Sequence, residues 1–372
     1  MSQPNDANRP LRIDRRGYLA LAGTGLVGVS AGVAGCTGSP GGDEASPEPT
    51  EAEAAPEEDE GGDSTGWQED LGTDQEFWMV MGDVAHRDSF FPSTLFVNQG
   101  ESVGMHVKNT GDEPHDFEIP AFDIEVEEAA TGAVVTRTFT ADTPGVHPIE
   151  CELHPEWMYG QLVVLPESGD IPTVDGRTLR IAMGDVAHRD SFMPSTNVVV
   201  EGEEVTIQSV NNGDEPHDFE IPAFDIEKEE VATEAEFEST FTADTPGIHE
   251  MECELHPEWM YGQLIVLPAD GDYSRIGRSD ERTLRIVMGD IAERESFFPS
   301  TNVVKQGEEV TLQLKNTGDE VHDLDIEAFG VEVDVEAGKE KTLSFTADAA
   351  GIEPMVCELH PPEMNGQLWV VP

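Results

Sequence analysis

The chain has 372 residues, enough for two or three ordinary domains, and its 77 acidic and 20 basic residues give a formal net charge of −57. So strong a negative charge excludes nucleic acid and anionic membrane surfaces as direct electrostatic partners. Like charges repel within a compact fold unless salt screens them, and in molar salt the screening length is only about 3 Å. The composition therefore predicts a protein of a very salty medium. The hydrophobic fraction of 37% excludes disorder throughout the chain.

The first 35 residues have the features of an export signal. Paired Arg15 and Arg16 precede a Gly-rich apolar run, which is short for a membrane span, and small residues then lead to Cys36. The segment resembles a twin-arginine signal followed by a lipobox, VAGC. That resemblance implies export, removal of 1–35, and a lipid on the Cys36 sulfur that anchors the chain to the outer face of the cytoplasmic membrane. An uncleaved anchor or an ordinary buried hairpin is the alternative.

An acidic segment follows the signal, at 36–74. From Thr37 to Asp74 it contains 13 acidic and no basic residues, mixed with Pro, Gly, Ser and Thr. Such a composition buries too little apolar surface to fold, so we expect a disordered, solvated tether.

Three tandem repeats occupy the rest of the chain. A motif of the form MGDVAHRDSFFPST opens each unit, and a motif beginning CELHP closes it. The closing cysteines lie 102 and then 104 residues apart, which is the size of a domain. Segments with the composition of linkers separate the units. The predicted domains span 75–168, 177–270 and 281–372.

The pattern within a unit is that of short strands. TLRIAM, EEVTIQSV and HDFEI alternate apolar with polar residues, and Gly, Asn, Asp or Pro interrupts the pattern every 8 to 15 residues. The predicted fold class is therefore all-β, with three tandem Greek-key β-sandwich domains of about seven or eight antiparallel strands each. In HDFEI, a period of two places His115, Phe117 and Ile119 on the inner face and Asp116 and Glu118 outside.

Each unit repeats one set of soft metal ligands. A His near its middle is followed 35 or 36 residues later by Cys-x2-His-x3-Met. Two imidazoles, a thiolate and a weak axial thioether form the blue-copper arrangement, whereas Met is not a usual zinc ligand. Core packing could explain any one of these residues, but not all four types recurring three times at fixed spacing. The sets are His115, Cys151, His154 and Met158; His217, Cys253, His256 and Met260; and His322, Cys357, His360 and Met364.

At these positions the units resemble cupredoxin domains. With the acidic composition, export signal and tether, the chain is similar to halocyanin-type copper proteins but has three such domains. The resemblance implies three type 1 copper ions, one per domain, bound by the twelve residues just named. It also covers the Met-x-Gly tail that begins at Met158. Three residues separate the second His from Met here, whereas plastocyanin-like members have four and amicyanin-like members two.

Such a site leaves no open position for a substrate, so we expect one-electron transfer and no enzymatic activity. A multicopper oxidase or reductase-like enzyme is the weaker alternative, because the sequence contains no His-x-His pair and no His adjacent to a site Cys. Copper storage or delivery would use the same ligands and stays open. We expect as partners a redox protein donor and acceptor of a membrane electron-transfer chain. By resemblance, the electron port is the rim near the second His, which carries Trp157 with Tyr159 and Trp259 with Tyr261.

Two further features distinguish the repeats. His86 and His147 in the first unit correspond to His188 and His249 in the second, and both become Glu in the third. If paired in space, these imidazoles could bind a second, weaker metal ion, although a solvated surface pair is the simpler explanation.

The third unit also changes residues beside its ligands. Glu363 and Asn365 replace Trp and Tyr, and Val321 replaces Pro. Because surrounding groups tune the reduction potential of a bound metal, we predict an outlying potential for this unit.

Overall fold

The computed structural model describes residues 71–372, and nearly all of its regular structure is β-strand. The export signal, Cys36 and most of the acidic segment lie outside the described residues. Short 3-10 turns occur at Pro120–Phe122, Pro222–Phe224, Tyr273–Arg275 and Glu327–Phe329. Between residues 71 and 372, no helix has the length and apolar character needed to span a membrane.

Each of the three domains contains nine strands. In the first they are β1 Gln75–Val84, β2 Arg87–Phe91, β3 Thr94–Asn98, β4 Ser102–Asn109, β5 His115–Ile119, β6 Ile124–Ala129, β7 Val134–Thr140, β8 Gly145–Glu150 and β9 Tyr159–Leu165. In the second they are β10 Arg177–Val186, β11 Arg189–Met193, β12 Thr196–Val200, β13 Glu204–Asn211, β14 His217–Ile221, β15 Ile226–Val231, β16 Glu236–Thr242, β17 Gly247–Glu252 and β18 Tyr261–Leu267. In the third they are β19 Glu281–Asp290, β20 Glu295–Phe298, β21 Thr301–Lys305, β22 Glu309–Asn316, β23 His322–Ile326, β24 Val331–Val335, β25 Glu340–Thr346, β26 Gly351–Val356 and β27 Asn365–Val371.

Two sheets form each sandwich, in the orders β2-β1-β4-β7 and β3-β9-β8-β5-β6 in the first domain, and the other two domains repeat both orders. The all-β fold with three β-sandwich domains is therefore confirmed. The prediction of antiparallel strands alone was wrong, because β1 pairs with β4 and β3 with β9 in parallel. The chain crosses from one sheet to the other between β2 and β3, and strand periodicity does not reveal such a crossing.

Alternation along β1 shows how one strand serves two cores. Phe77, Met79 and Met81 enter the core of the first domain, whereas Trp78 and Val80 join a cluster that contains residues of all three domains. A second shared cluster lies on the sheet that contains β3 and β9. Both sheets thus bury apolar side chains on their outer faces, so the domains pack against one another.

The contacts between domains form a closed ring. The Thr94 hydroxyl donates to the carbonyl of Thr196 over 2.6 Å, and the Thr196 hydroxyl donates to the carbonyl of Thr301 over 2.7 Å. The Thr301 hydroxyl then donates to the carbonyl of Thr94 over 2.6 Å. Gln161, Gln263 and Gln367 repeat this cyclic pattern by bonding backbone groups of the next domain in the ring.

The segments between repeats belong to this assembly and are not free linkers. Ile171 and Ile276 are 2% and 1% exposed and lie in the second shared cluster. The amide of Ile171 also donates to the carbonyl of Ala269 over 2.8 Å. Polar and Gly-rich neighbours gave these segments the composition of linkers, but each contains a large apolar residue that is buried against the domains.

Candidate metal centre

Each domain brings two imidazoles and a thiol together at one end of its sandwich. The first His begins β5, β14 or β23, and the Cys and second His follow β8, β17 or β26. The Nδ1 atoms of His115 and His154 are 3.1 Å apart, and Cys151 Sγ is 3.6 Å from His154 Nδ1. The corresponding distances are 3.1 and 3.6 Å in the second domain and 3.2 and 3.3 Å in the third.

The loop from Cys to Met is held by its own backbone. In the first domain the amide of His154 donates to the carbonyl of Cys151 over 3.3 Å, and the amide of Met158 donates to the carbonyl of His154 over 3.1 Å. These turns place the second His and Met on one side of the loop. Met158, Met260 and Met364 are at most 2% exposed, and each belongs to the same core cluster as the Cys of its domain.

The loop before the first His is clamped by an asparagine. The Asn109 side-chain amide donates to the carbonyls of Glu113 and Ala129, and its Oδ1 accepts from the amide of Gly111. A Cβ at Gly111 would lie only 2.6 Å from Nε2 of His115, so glycine is needed for the backbone to pass this close to the ring. Asn211 and Asn316 make the same contacts in the other domains.

A carboxylate lies beside the outer nitrogen of each imidazole. His115 Nε2 lies 3.4 Å from Asp88 Oδ1, and His154 Nε2 lies 3.2 Å from Glu113 Oε1. Metal binding through Nδ1 would leave the proton of each ring on Nε2, beside these carboxylates. The buried Nε2 of His115 makes no hydrogen bond in the described structure. Equivalent carboxylates stand in the other domains. The Asp-Glu-His groups around His154 and His256 share that histidine with the Cys site, so they are not separate centres.

Burial favours the neutral forms of the ligands. It lowers the pKa of His115 and of His217 and raises the pKa of the Cys151 and Cys253 thiols. The backbone amide of Asp116 donates to Cys151 Sγ over 3.3 Å, a contact that stabilises a thiolate once a cation replaces its proton. The three groups His115-Cys151-His154, His217-Cys253-His256 and His322-Cys357-His360 each have all ligand atoms within 4.8 Å. Their soft donors fit a type 1 copper ion.

The surface beside the second His differs from the sequence-based expectation. Tyr159 and Tyr261 are only 7% and 5% exposed. Trp157 packs against a shared cluster, beneath the Arg87 guanidinium at 4.4 Å. The two tyrosines are therefore buried, and Trp157 and Trp259 are only partly exposed because both pack against that cluster. The apolar side chain exposed there is the residue before the second His: Leu153, Leu255 and Leu359, at 45%, 46% and 54%. In the sequence this exposed leucine can be recognised as the apolar residue between Glu and His in the CELHP motif.

The four other paired histidines do not join a metal-binding group. The Nε2 atoms of His147 and His249 donate to the carbonyls of Thr143 and Thr245, and each ring packs edge-on against a Phe. His86 and His188 lie in left-handed turns after β1 and β10. Among residues 71–372, no cluster of three or more potential ligands contains any of these four. A second metal ion bound by a pair of imidazoles at these positions stays a prediction.

His106 was not singled out by its sequence context. It is fully buried, stacks on Trp78 with ring centroids 5.0 Å apart, and places Nε2 3.2 Å from Glu76 Oε2. It lies in β4, outside the ligand groups.

Comparison with known proteins gives one family. A family model described as "Cupredoxin-like domain" matches residues 74–164, 178–266 and 275–370. The comparison with curated proteins gives no match.

One similar solved structure is a copper-containing nitrite reductase from Thermus scotoductus SA-01. The two sequences are 14% identical, the match covers 80% of this chain and 99% of that chain, and the TM-score is 0.24. Another is a copper nitrite reductase from Nitrosomonas europaea, with 20% identity, 54% and 94% coverage, and a TM-score of 0.27. A third is a multi-copper oxidase from Pseudomonas thermotolerans, with 11% identity, 79% and 98% coverage, and a TM-score of 0.24. Scores this low carry no argument about activity.

Proposed function

The chain belongs to the family of cupredoxin-like domains, and from that premise we propose that it transfers single electrons through three type 1 copper ions, as halocyanin-type proteins do with one. The observation that carries the proposal is the His-Cys-His group at the same end of every domain, in which the first His and the Cys are buried and the second His is partly exposed. Bound copper supplies a one-electron change between Cu(II) and Cu(I). The residues of the chain supply a site that differs little between the two states.

Rigid support of the ligands favours this function. The asparagine clamp holds the loop before the first His, and backbone hydrogen bonds hold the Cys-to-Met loop. A carboxylate lies beside the Nε2 atom of each histidine. Ligands held in this way rearrange little when the charge of the ion changes. No position in the donor set is reserved for a substrate, which is why we propose a carrier and not an enzyme.

The half-exposed second imidazole supports contact with a redox partner. His154, His256 and His360 have 26%, 26% and 19% of their side chains exposed, and each follows an exposed Leu. In a very salty medium charge attraction is screened within a few Å. We therefore propose that donor and acceptor proteins dock on these leucines through apolar contact, at the point where the ligand histidine reaches the surface.

Copper storage or delivery is the second candidate, because a buried thiol with two imidazoles also binds copper tightly. The two functions differ in what happens on reduction. We expect metal analysis to find three copper ions per purified chain, with a visible thiolate-to-copper absorption that disappears on reduction and returns on oxidation. All three ions should remain after repeated cycles and gel filtration. Release of copper in the reduced state would instead establish delivery.

We also propose that the mature chain is exported and anchored to the outer face of the cytoplasmic membrane by lipid on Cys36. One acyl chain binds a membrane only marginally, so a diacyl modification is expected. Mass spectrometry of the protein from its native membrane should show an N-terminus at Cys36 carrying this added mass. An unmodified N-terminus at another residue would refute the anchor, and a Cys36→Ser variant found in the membrane fraction would do so as well.

A further inference from the structure

The third domain lacks one residue beside its metal centre. In the first domain His115 pairs with Ala129 and Phe117 with Val126, so two residues of β6 stand opposite Asp116. The second domain has the same irregularity between His217 and Phe219. This is a β-bulge, an extra residue in one strand of an antiparallel pair. In the third domain β23 and β24 pair without a break.

The bulge supplies a hydrogen-bond donor to a buried carboxylate. Glu128, the bulged residue, has φ +49°, and its amide donates to Asp116 Oδ1 over 2.7 Å. Glu230, with φ +50°, donates to Asp218 Oδ1 over the same distance. Alternation predicted that Asp116 would point outward, but it is only 6% exposed. In these two domains the backbone amide of the bulged residue therefore holds the aspartate carboxylate.

Without the bulge, the carboxylate of the third domain turns to the sulfur. The Cys357 thiol donates to Asp323 Oδ1 over 3.0 Å. The amides of Leu359 and Glu358 donate to Asp323 Oδ1 and Oδ2 over 3.3 and 3.2 Å, and these two contacts do not depend on the thiol proton. Asp323 is 7% exposed, so solvent screens it little. No comparable Sγ-to-carboxylate contact occurs at Cys151 or Cys253 in the described structure.

We infer that Asp323 is a positioning and tuning residue for the third copper site, and that the absence of the bulge sets its reduction potential below those of the first two. The inference rests on the proposed electron-transfer function. A buried negative charge beside the copper-sulfur unit stabilises the oxidised ion, which carries the larger positive charge, more than the reduced ion. The third site is then harder to reduce than the first two.

The test is the potential of one site at a time in the full chain. Cys151→Ser with Cys253→Ser leaves only the third site, and Asp323→Asn is then added to that parent. We expect the potential to rise by at least 59 mV, which is a tenfold change in the Cu(I)/Cu(II) ratio for one electron. The matched control is Asp116→Asn in a chain that retains only the first site, where the shift should be much smaller because Asp116 faces the bulge.

Two outcomes separate this inference from the proposed function. If the parent lacks a thiolate-to-copper absorption, the type 1 assignment fails and the inference fails with it. If the parent absorbs but Asp323→Asn leaves its potential unchanged, the inference alone is overturned. A fall in potential would also overturn it.

Reciprocal changes of the bulge provide a second measurement. Deleting Glu128 gives the first domain the strand length of the third, and we expect its potential to fall. Inserting one Glu between Asp334 and Val335 gives the third domain a bulge, and its potential should rise. General damage to the fold does not move two sites in opposite directions, so shifts of equal sign would contradict the inference.

Discussion

Replacing Cys151, Cys253 and Cys357 together by Ser is expected to abolish the visible thiolate-to-copper absorption of the protein. The sulfur of each Cys is buried and within 3.6 Å of a ligand imidazole. A serine hydroxyl is too weak an acid to replace a thiolate, and it has no sulfur orbitals for the charge transfer. Absorption spectra and metal analysis of the copper-loaded variant make the measurement.

Single and double replacements are the controls for this result. Each Cys→Ser change should remove about one third of the absorption, since the three groups have nearly the same geometry. Circular dichroism should show unchanged β-structure, because the substitution is close to isosteric. A triple variant that remains blue would contradict the assignment of the three sites.

A second large effect is expected from Glu203→Gln, which breaks a buried ion pair. Arg177 Nε lies 2.6 Å from Glu203 Oε2, and the two side chains are 5% and 0% exposed. The same arginine reaches the carbonyl of Val146 in the first domain. Because the change leaves an arginine charge buried without its partner, we expect the free energy of unfolding to fall by about 3–5 kcal/mol. Urea unfolding at high salt measures the loss.

The matched control is the same substitution at an exposed pair. Glu340 pairs with Lys315 over 2.6 Å, but its side chain is 58% exposed. Glu340→Gln should cost about 1 kcal/mol or less, because solvent and salt screen such pairs. Equal losses at Glu203 and Glu340 would mean that burial of the first pair contributes nothing.

Most of the fold and the ligands of the metal centre could be predicted from the sequence, because the same strand pattern and the same ligand motif occur in all three repeats. Alternation within HDFEI correctly directs His115 inward, and the Cys-x2-His-x3-Met motif identifies the second loop of the site. Packing between domains was harder to predict. Its signal was present in β1 and β9, where apolar residues occupy both faces. Which surfaces meet, however, depends on contacts hundreds of residues apart, such as that of Gln367 with Phe96.

The position of Asp323 beside the sulfur could not be predicted from the sequence, for a different reason. The first His and Cys are 36 residues apart in the first two units and 35 in the third, so the sequence does show that the third unit is one residue shorter. Spacing alone does not say which strand or loop is shorter. Nor does alternation predict that Asp116 is buried, because the bulge interrupts the period at that point. Only the paired strands show that one missing residue redirects a carboxylate.

The closed ring of Thr94, Thr196 and Thr301 has a consequence for how the domains can diverge. Three separate copies of one chain could build such a ring, but every substitution would then appear at all three positions. Joining the copies in one polypeptide keeps them at high effective concentration, so dilution does not separate them. Covalent connection also allows one member to change while its neighbours stay the same. The single-chain ring is thus a symmetric scaffold that permits functional asymmetry.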